Sequence, residues 1–178
     1  FNSDDYIGKL RSNTDKQDNQ QNSELLSLVM HAKAQCLHSL GRSRESWQYY
    51  DQILSTSPND PVALNNYAYF LAEEGTDLIK AEKLSMQSLN IDPLNPTYLD
   101  TYAYILMRLG KHSEALFVIE RCIENLKGVQ SVEIFDHYGD ILYFNSRTSD
   151  AIVQWQKALS LDPSNSTIKE KINNRKPL

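Results

Sequence analysis

The side chains that could bind a metal or act as nucleophiles are few and widely spaced in this chain of 178 residues. Histidine and cysteine come close together only at His31, Cys36 and His38. The two histidines lie two helical turns apart and Cys36 projects from another side of the helix, so we do not expect a metal site. Cys36 and Cys122 have no CxxC partner, and we expect both to be packed thiols without a redox role.

The other chemical groups also lack the setting that catalysis needs. His112 and His137 are interpreted as histidines at a helix end or on the surface. The adjacent carboxylates Glu73 and Glu74 would need a closed pocket to become catalytic. The six glycines stand singly, so no loop could cradle a phosphate. We therefore predict that the protein is not an enzyme and has no catalytic residue, metal or cofactor.

Composition narrows the class of partner. The chain has 18 Lys and Arg against 23 Asp and Glu, and its net charge of -5 disfavours nucleic acid, which binds basic surfaces. No apolar run approaches the roughly 20 residues that span a bilayer, so we expect no membrane span in this segment. The chain starts at Phe1 and not at Met, which leaves an upstream signal or lipid anchor open.

A repeat of about 35 residues runs through the chain. Gly41, Gly75 and Gly110 are 34 and 35 residues apart, and Pro58 and Pro93 are again 35 residues apart. A period of about 20 to 50 residues is typical of a solenoid, in which each repeat packs only on its neighbours. We place four repeats, at about 27–60, 61–95, 96–131 and 132–165.

Each repeat has the pattern of two helices joined by a turn. In the third, an apolar stripe at helical spacing runs from Leu99 to Leu106 and ends at Gly110, and a second stripe follows that glycine. Asp60 followed by Pro61 marks a helix start, because the carboxylate can cap the first turn and proline suits the first position. The predicted helices are 25–40, 43–56, 61–74, 77–91, 96–109, 112–126, 132–145, 148–161 and 165–174.

These repeats resemble tetratricopeptide repeats, whose pattern is W-x2-L-G-x2-Y, then A-x3-F, then P. The fourth repeat carries the pattern in Phe135, Tyr138, Gly139, Leu142, Ala151, Trp155 and Pro163. The second and third repeats keep most of it, whereas the first matches least. The resemblance covers about four fifths of the chain. It implies an all-α fold, a right-handed superhelical solenoid of about four helix-turn-helix repeats with a C-terminal capping helix.

Both ends of the chain depart from the repeat. Residues 1–23 are polar and are interpreted as a linker or the remnant of an upstream repeat, with an arm that docks on the solenoid or a neighbour as the alternative. The solenoid is placed at 24–165. Residues 166–178 are predicted to form a capping helix and tail, because their mostly polar composition suits an end that meets water.

The resemblance implies a non-catalytic scaffold for protein–protein interaction. In such proteins the first helix of each repeat lines a concave groove, which binds an extended peptide or a partner helix. With the apolar stripe placed inward, helical geometry assigns eleven residues of repeats 2 to 4 to this groove. They are Asn65, Tyr69, Glu73, Asp100, Tyr104, Met107, Arg108, Glu133, Asp136, Asp140 and Tyr143.

Acidic side chains dominate the predicted groove. Asp100, Glu133, Asp136 and Asp140 would favour a basic or polar protein segment, held also by contacts to the groove tyrosines. Co-chaperone members of the family bind a terminal carboxylate with Lys, Arg and Asn, and we do not expect such a clamp here. The alternative is that these acids only form a solvated face.

Two other functions stay open. The chain could be a structural subunit that assembles with itself or with a larger complex through convex or end surfaces. It could also be the accessory region of an enzyme whose catalytic domain lies upstream. The repeats also resemble those of bacterial multi-repeat proteins, many of them exported or attached to the outer membrane, so the cell envelope or periplasm is favoured over the cytoplasm.

Overall fold

The computed structural model describes residues 25–178, and within that range every regular element is an α-helix. This confirms the predicted all-α class, and each observed helix end that can be compared lies within one residue of its predicted position. The helices are α1 25–39, α2 Ser43–Thr56, α3 Pro61–Glu73, α4 Leu78–Ile91, α5 Pro96–Arg108, α6 His112–Asn125, α7 Val132–Phe144, α8 Thr148–Leu161 and α9 Ser166–Asn174.

The chain divides between Pro58 and Asn59 into two compact units. In the described part of the first, α1 and α2 pack together through Ala34 and Tyr50, which are both fully buried. The second compact unit contains the helix pairs α3/α4, α5/α6 and α7/α8, with α9 packed on α8. The interpretation of residues 1–23 concerns residues outside the described range, and the predicted limits of the solenoid remain predictions.

Side-chain caps fix where the first helix of each repeat in the second compact unit begins. The Asp60 carboxylate accepts hydrogen bonds from the backbone N–H groups of Val62, at 3.0 Å, and Ala63, at 2.9 Å. Asn95 and Ser131 cap α5 and α7 in the same way. Because each cap satisfies amides that the helix leaves unpaired, it sets the register of the whole helix that follows.

The turn inside each repeat requires a left-handed backbone. Gly75 and Gly110 have φ angles of 68° and 75° directly after α3 and α5. The fourth repeat has Ser146 at the corresponding place, with φ 63°. A non-glycine residue in this conformation costs about 1 kcal/mol or more in free energy relative to glycine. The packing around Ser146 must therefore offset this strain.

The core of the second compact unit lies between the two helices of each repeat. Its largest fully buried side chains include Leu106, Ile119, Phe135 and Trp155. Gly139 of α7 lies against Trp155 of α8, and a Cβ atom at Gly139 would overlap the indole ring. The position of Trp155 therefore requires a glycine at this crossing.

We expect Gly139→Ala to destabilise the protein by about 1–3 kcal/mol, because the added methyl group must displace a fully buried indole. Urea unfolding followed by circular dichroism measures this change. Ser149→Ala, an exposed change in α8, is the matched control and should shift stability by less than about 0.5 kcal/mol. Equal stability of the two variants would show that the α7–α8 crossing is looser than described.

Candidate interaction face

Helices α3, α5 and α7 are neighbours in the second compact unit, and we call the surface that they present together the A-helix face. All eleven residues predicted for the groove lie on these three helices. They differ in exposure. Glu73, Arg108 and Glu133 are exposed, Tyr69, Tyr104, Asp136 and Tyr143 are half-buried, and Asn65, Asp100, Met107 and Asp140 are buried.

An aromatic row crosses the three helices of this face. The ring centroid of Tyr69 lies 5.7 Å from that of Tyr104 and 6.2 Å from that of His137. Tyr104 and His137 stack with centroids 4.5 Å apart and an interplanar angle of 24°. Such contacts stabilise the packing of neighbouring helices, while the half-buried tyrosines still present part of their surface to solvent.

His137 corrects the sequence analysis, which interpreted it as a histidine at a helix end or on the surface. It lies inside α7 and is only 8% exposed, with its Nδ1 atom 3.1 Å from Oδ1 and 3.0 Å from Oδ2 of Asp100. Burial by itself lowers the pKa of His137. The charge and hydrogen bond of Asp100, supported by Asp136 and Asp140, outweigh burial and raise that pKa overall.

Lys171 of α9 holds two further acids of the predicted groove. Its Nζ atom donates to both oxygens of Asp136 and to Oδ2 of Asp140, each at 2.8 Å. Trp155 Nε1 donates to the other oxygen of Asp140 at 2.9 Å. Burial raises the pKa of Asp140 despite the opposing effect of Lys171, and the two acids raise the pKa of Lys171 although burial lowers it.

These pairs repeat at fixed positions relative to the helix caps. Asp100 and Asp136 lie five residues after the N-caps Asn95 and Ser131. Each pairs with a base that lies six residues after the N-cap of the following repeat or of α9. Those bases are His137 and Lys171. The members of these pairs are 37 and 35 residues apart, which is about one repeat. Pairing each acid with a base one repeat further along the sequence would predict them, whereas the net charge does not.

The acidic character expected for the groove is therefore revised. Asp100, Asp136 and Asp140 are compensated inside the chain, because a buried carboxylate needs a counter-charge or hydrogen bonds. Glu73 and Glu133 lie at the exposed edge of the face. Burial, followed by the charges of Glu73, Tyr104, Glu133 and Asp100, raises the pKa of the Tyr69 hydroxyl.

Arg108 is the cation of this face. Its Nη1 atom donates to the Tyr104 hydroxyl at 2.8 Å and to the Glu73 carbonyl at 3.4 Å. Its guanidinium carbon lies 5.7 Å from the centroid of the Tyr104 ring. Arg108 thus connects α5 to the C-terminal end of α3, where the helix dipole favours a positive charge.

The thiols and metal ligands take no part in this face. Cys122 is buried and donates from Sγ to the Pro96 carbonyl at 3.1 Å, as expected for a packed thiol. Cys36 is exposed, against expectation, because it lies on a side of α1 that α2 does not cover. Residues 25–178 hold no cluster of three potential metal ligands and no helix long and apolar enough to cross a membrane.

We expect Lys171→Met to destabilise the protein by about 3 kcal/mol, because Asp136 and Asp140 would lose a buried counter-charge. Urea unfolding provides the measurement. Lys169→Met removes an exposed lysine from the same helix and should change stability by no more than about 0.5 kcal/mol. If the two variants unfold at the same urea concentration, the Lys171 cluster does not stabilise the fold.

The raised pKa of His137 predicts a pH-dependent contribution to stability. A histidine whose pKa is higher in the folded state stabilises fully below its ordinary pKa of about 6.5, and that gain is lost as the pH rises through the folded value. The stability difference between the wild type and His137→Asn should therefore shrink from pH 6 to pH 9. A constant difference would contradict a charged His137.

Comparison with known proteins supports the repeat assignment. The tetratricopeptide repeat family model matches residues 97–125, which contain almost all of α5 and the whole of α6. No curated protein sequence matches this chain.

Solved structures share the fold at low sequence identity. PilF of Pseudomonas aeruginosa has a TM-score of 0.73 and 14% identity, over 85% of this chain and 68% of that one. MamA of Desulfovibrio magneticus RS-1 has a TM-score of 0.64 and 19% identity, over 84% and 82%. The first such domain of Spaghetti (RPAP3), solved with the HSP90 peptide SRMEEVD, has a TM-score of 0.57 and 16% identity, over 65% and 89%. Residues 97–125 are thus a tetratricopeptide repeat, set in a chain that has the helical-repeat fold of tetratricopeptide repeat proteins.

Proposed function

We propose that this chain is a non-catalytic interaction scaffold that binds an extended peptide or a partner helix on its A-helix face. Tetratricopeptide repeats generally mediate protein–protein interactions. The observation that carries the proposal is the row of Tyr69 and Tyr104, whose half-buried rings lie side by side on adjacent helices. Aromatic rings of this kind offer a large apolar contact area together with a hydroxyl that can hydrogen bond.

Asn65 offers a polar contact beside this row. It lies one helical turn before Tyr69 on α3, is buried, and its Oδ1 atom has no hydrogen-bond partner among the described residues. A buried acceptor without a partner costs about 1–3 kcal/mol. A peptide N–H group bound along α3 would remove that cost, which favours binding of a backbone next to the aromatic row.

The remaining charges favour a basic residue in the bound segment. Glu73 and Glu133 are exposed and lie close enough to Tyr69 to raise its pKa. A Lys or Arg side chain of a partner could contact the Tyr69 ring and the Glu133 carboxylate together. The peptide in the RPAP3 complex, SRMEEVD, is acidic. Because this chain has carboxylates at the edge of the face, we propose that its partner has the opposite charge.

The second candidate is an assembly subunit that uses the opposite side of the repeats. Phe117 of α6 supports it, because this large aromatic side chain is 65% exposed and borders an open recess of about 390 Å³ formed with Tyr102, Leu106 and Val118. Isolated exposed apolar residues are common on protein surfaces, which makes this the weaker argument.

A peptide-display selection on the whole chain tests the two candidates. Peptides selected by the wild type should contain Lys or Arg beside an apolar residue. They should lose about 30-fold or more in affinity to Tyr69→Ala and Tyr104→Ala, since aromatic anchors at the centre of an interface contribute most. Glu133→Gln should weaken only the basic peptides.

Phe117→Ala is the matched control, because it removes an equally large ring from the other side of the repeat. Each variant is first checked for an unchanged thermal unfolding curve. Peptides that bind the Tyr69 and Tyr104 variants as well as the wild type would exclude the A-helix face. Loss of binding in Phe117→Ala alone would favour the assembly subunit.

A further inference from the structure

Helix α1 has two apolar sides, and α2 covers only one of them. Ala34 and Leu37 are buried on the covered side, where Ser46 Oγ of α2 donates to the Ala34 carbonyl at 2.8 Å. The other side carries an exposed series that we call the α1 stripe. Its members are Leu25, Leu28, Val29, Ala32, Cys36 and Leu40.

The α1 stripe is continuous and strongly exposed. Its members recur every three or four residues, so they fall on one side of the helix from its first described turn to the residue just beyond its end. Leu25, Leu28, Val29 and Leu40 are 60%, 67%, 54% and 71% exposed. Contiguous apolar surfaces of this kind mark binding sites far more often than scattered single residues do.

A recess of about 410 Å³ lies between the start of α1 and the end of α2, and polar residues make up most of its lining. It is therefore not part of the α1 stripe. The stripe itself fits the apolar side of a short helical segment.

The sequence ahead of α1 contains apolar residues at a spacing that suits this surface. Its large apolar side chains before Leu25 are Phe1, Tyr6, Ile7 and Leu10, and the last three have helical spacing. Residues 11–24 are polar or charged throughout. We propose that residues 1–10 dock on the α1 stripe through these apolar side chains.

The length of the connecting chain favours docking within one molecule. A random-coil chain of 14 residues would have a root-mean-square span of about 20 Å, and α1 with 15 described residues is about 22 Å long. Residues 1–10 can therefore reach any part of the stripe. A tether of this length gives an effective concentration near the millimolar range, well above the micromolar concentration of a second copy in solution.

Cys36 allows the docking to be measured, because its thiol lies within the stripe. We compare N-ethylmaleimide labelling of the 178-residue protein with that of the double variant Ile7→Asp/Leu10→Asp, and assign the labelled cysteine by mass spectrometry. Cys36 should react about tenfold more slowly in the wild type, which corresponds to about 1.4 kcal/mol of docking free energy. The buried Cys122 should stay unlabelled in both, as a check that the fold is intact.

Asn13→Asp/Gln17→Asp is the matched control, since it adds the same charge to the polar linker and should label like the wild type. Labelling at two protein concentrations a hundredfold apart separates docking within one molecule from a second copy. Slow labelling that does not change with dilution supports the proposal. Equal rates in the wild type and the Ile7/Leu10 variant overturn it, and so does protection that disappears on dilution, which would assign the stripe to a second copy.

Discussion

Every repeat in the second compact unit depends on the helix that follows it to cover its open side, because a stacked helix pair cannot enclose its own core. In the described residues, the repeat of α7 and α8 is followed by α9, a helix of nine residues. Ile168 supplies apolar contact there, and Lys171 neutralises Asp136 and Asp140. A short polar helix can close the stack because one buried ammonium group compensates two carboxylates while Trp155 satisfies a further oxygen.

The acid–base pairs between the helices determine which groups of the A-helix face are accessible. Acids placed between stacked helices are used to join those helices, and they are not available to a peptide. What remains outside is a half-buried aromatic surface with carboxylates at its edge, at Glu73 and Glu133. Affinity on such a surface comes mainly from ring contacts, whereas the exposed charges affect selectivity and the rate of association.

The sequence was sufficient to predict the helices but not the side-chain pairs that join them. Caps such as Asp60 and turn glycines such as Gly110 act within a few residues, so their signal is local and the helix ends followed from it. The partners Asp100 and His137 are 37 residues apart, and only the stacking of α5 on α7 brings them together. For the same reason the sequence alone does not reveal that His137 is buried or that Asp100 is paired with it. The predicted groove residues all lie on α3, α5 and α7, but their burial depends on neighbouring repeats.

The acid–base pairs between successive first helices also encode the order of the repeats. The junction of α5 with α7 uses a carboxylate and a histidine, that of α7 with α9 uses carboxylates and a lysine, and Asn65 places an uncharged amide at the same position in α3. Exchanging or duplicating a helix pair would set an acid against an uncharged side chain or leave a lysine buried alone. Repeat proteins evolve readily by duplication and loss of whole units, and these unequal junctions make this array resistant to such rearrangement.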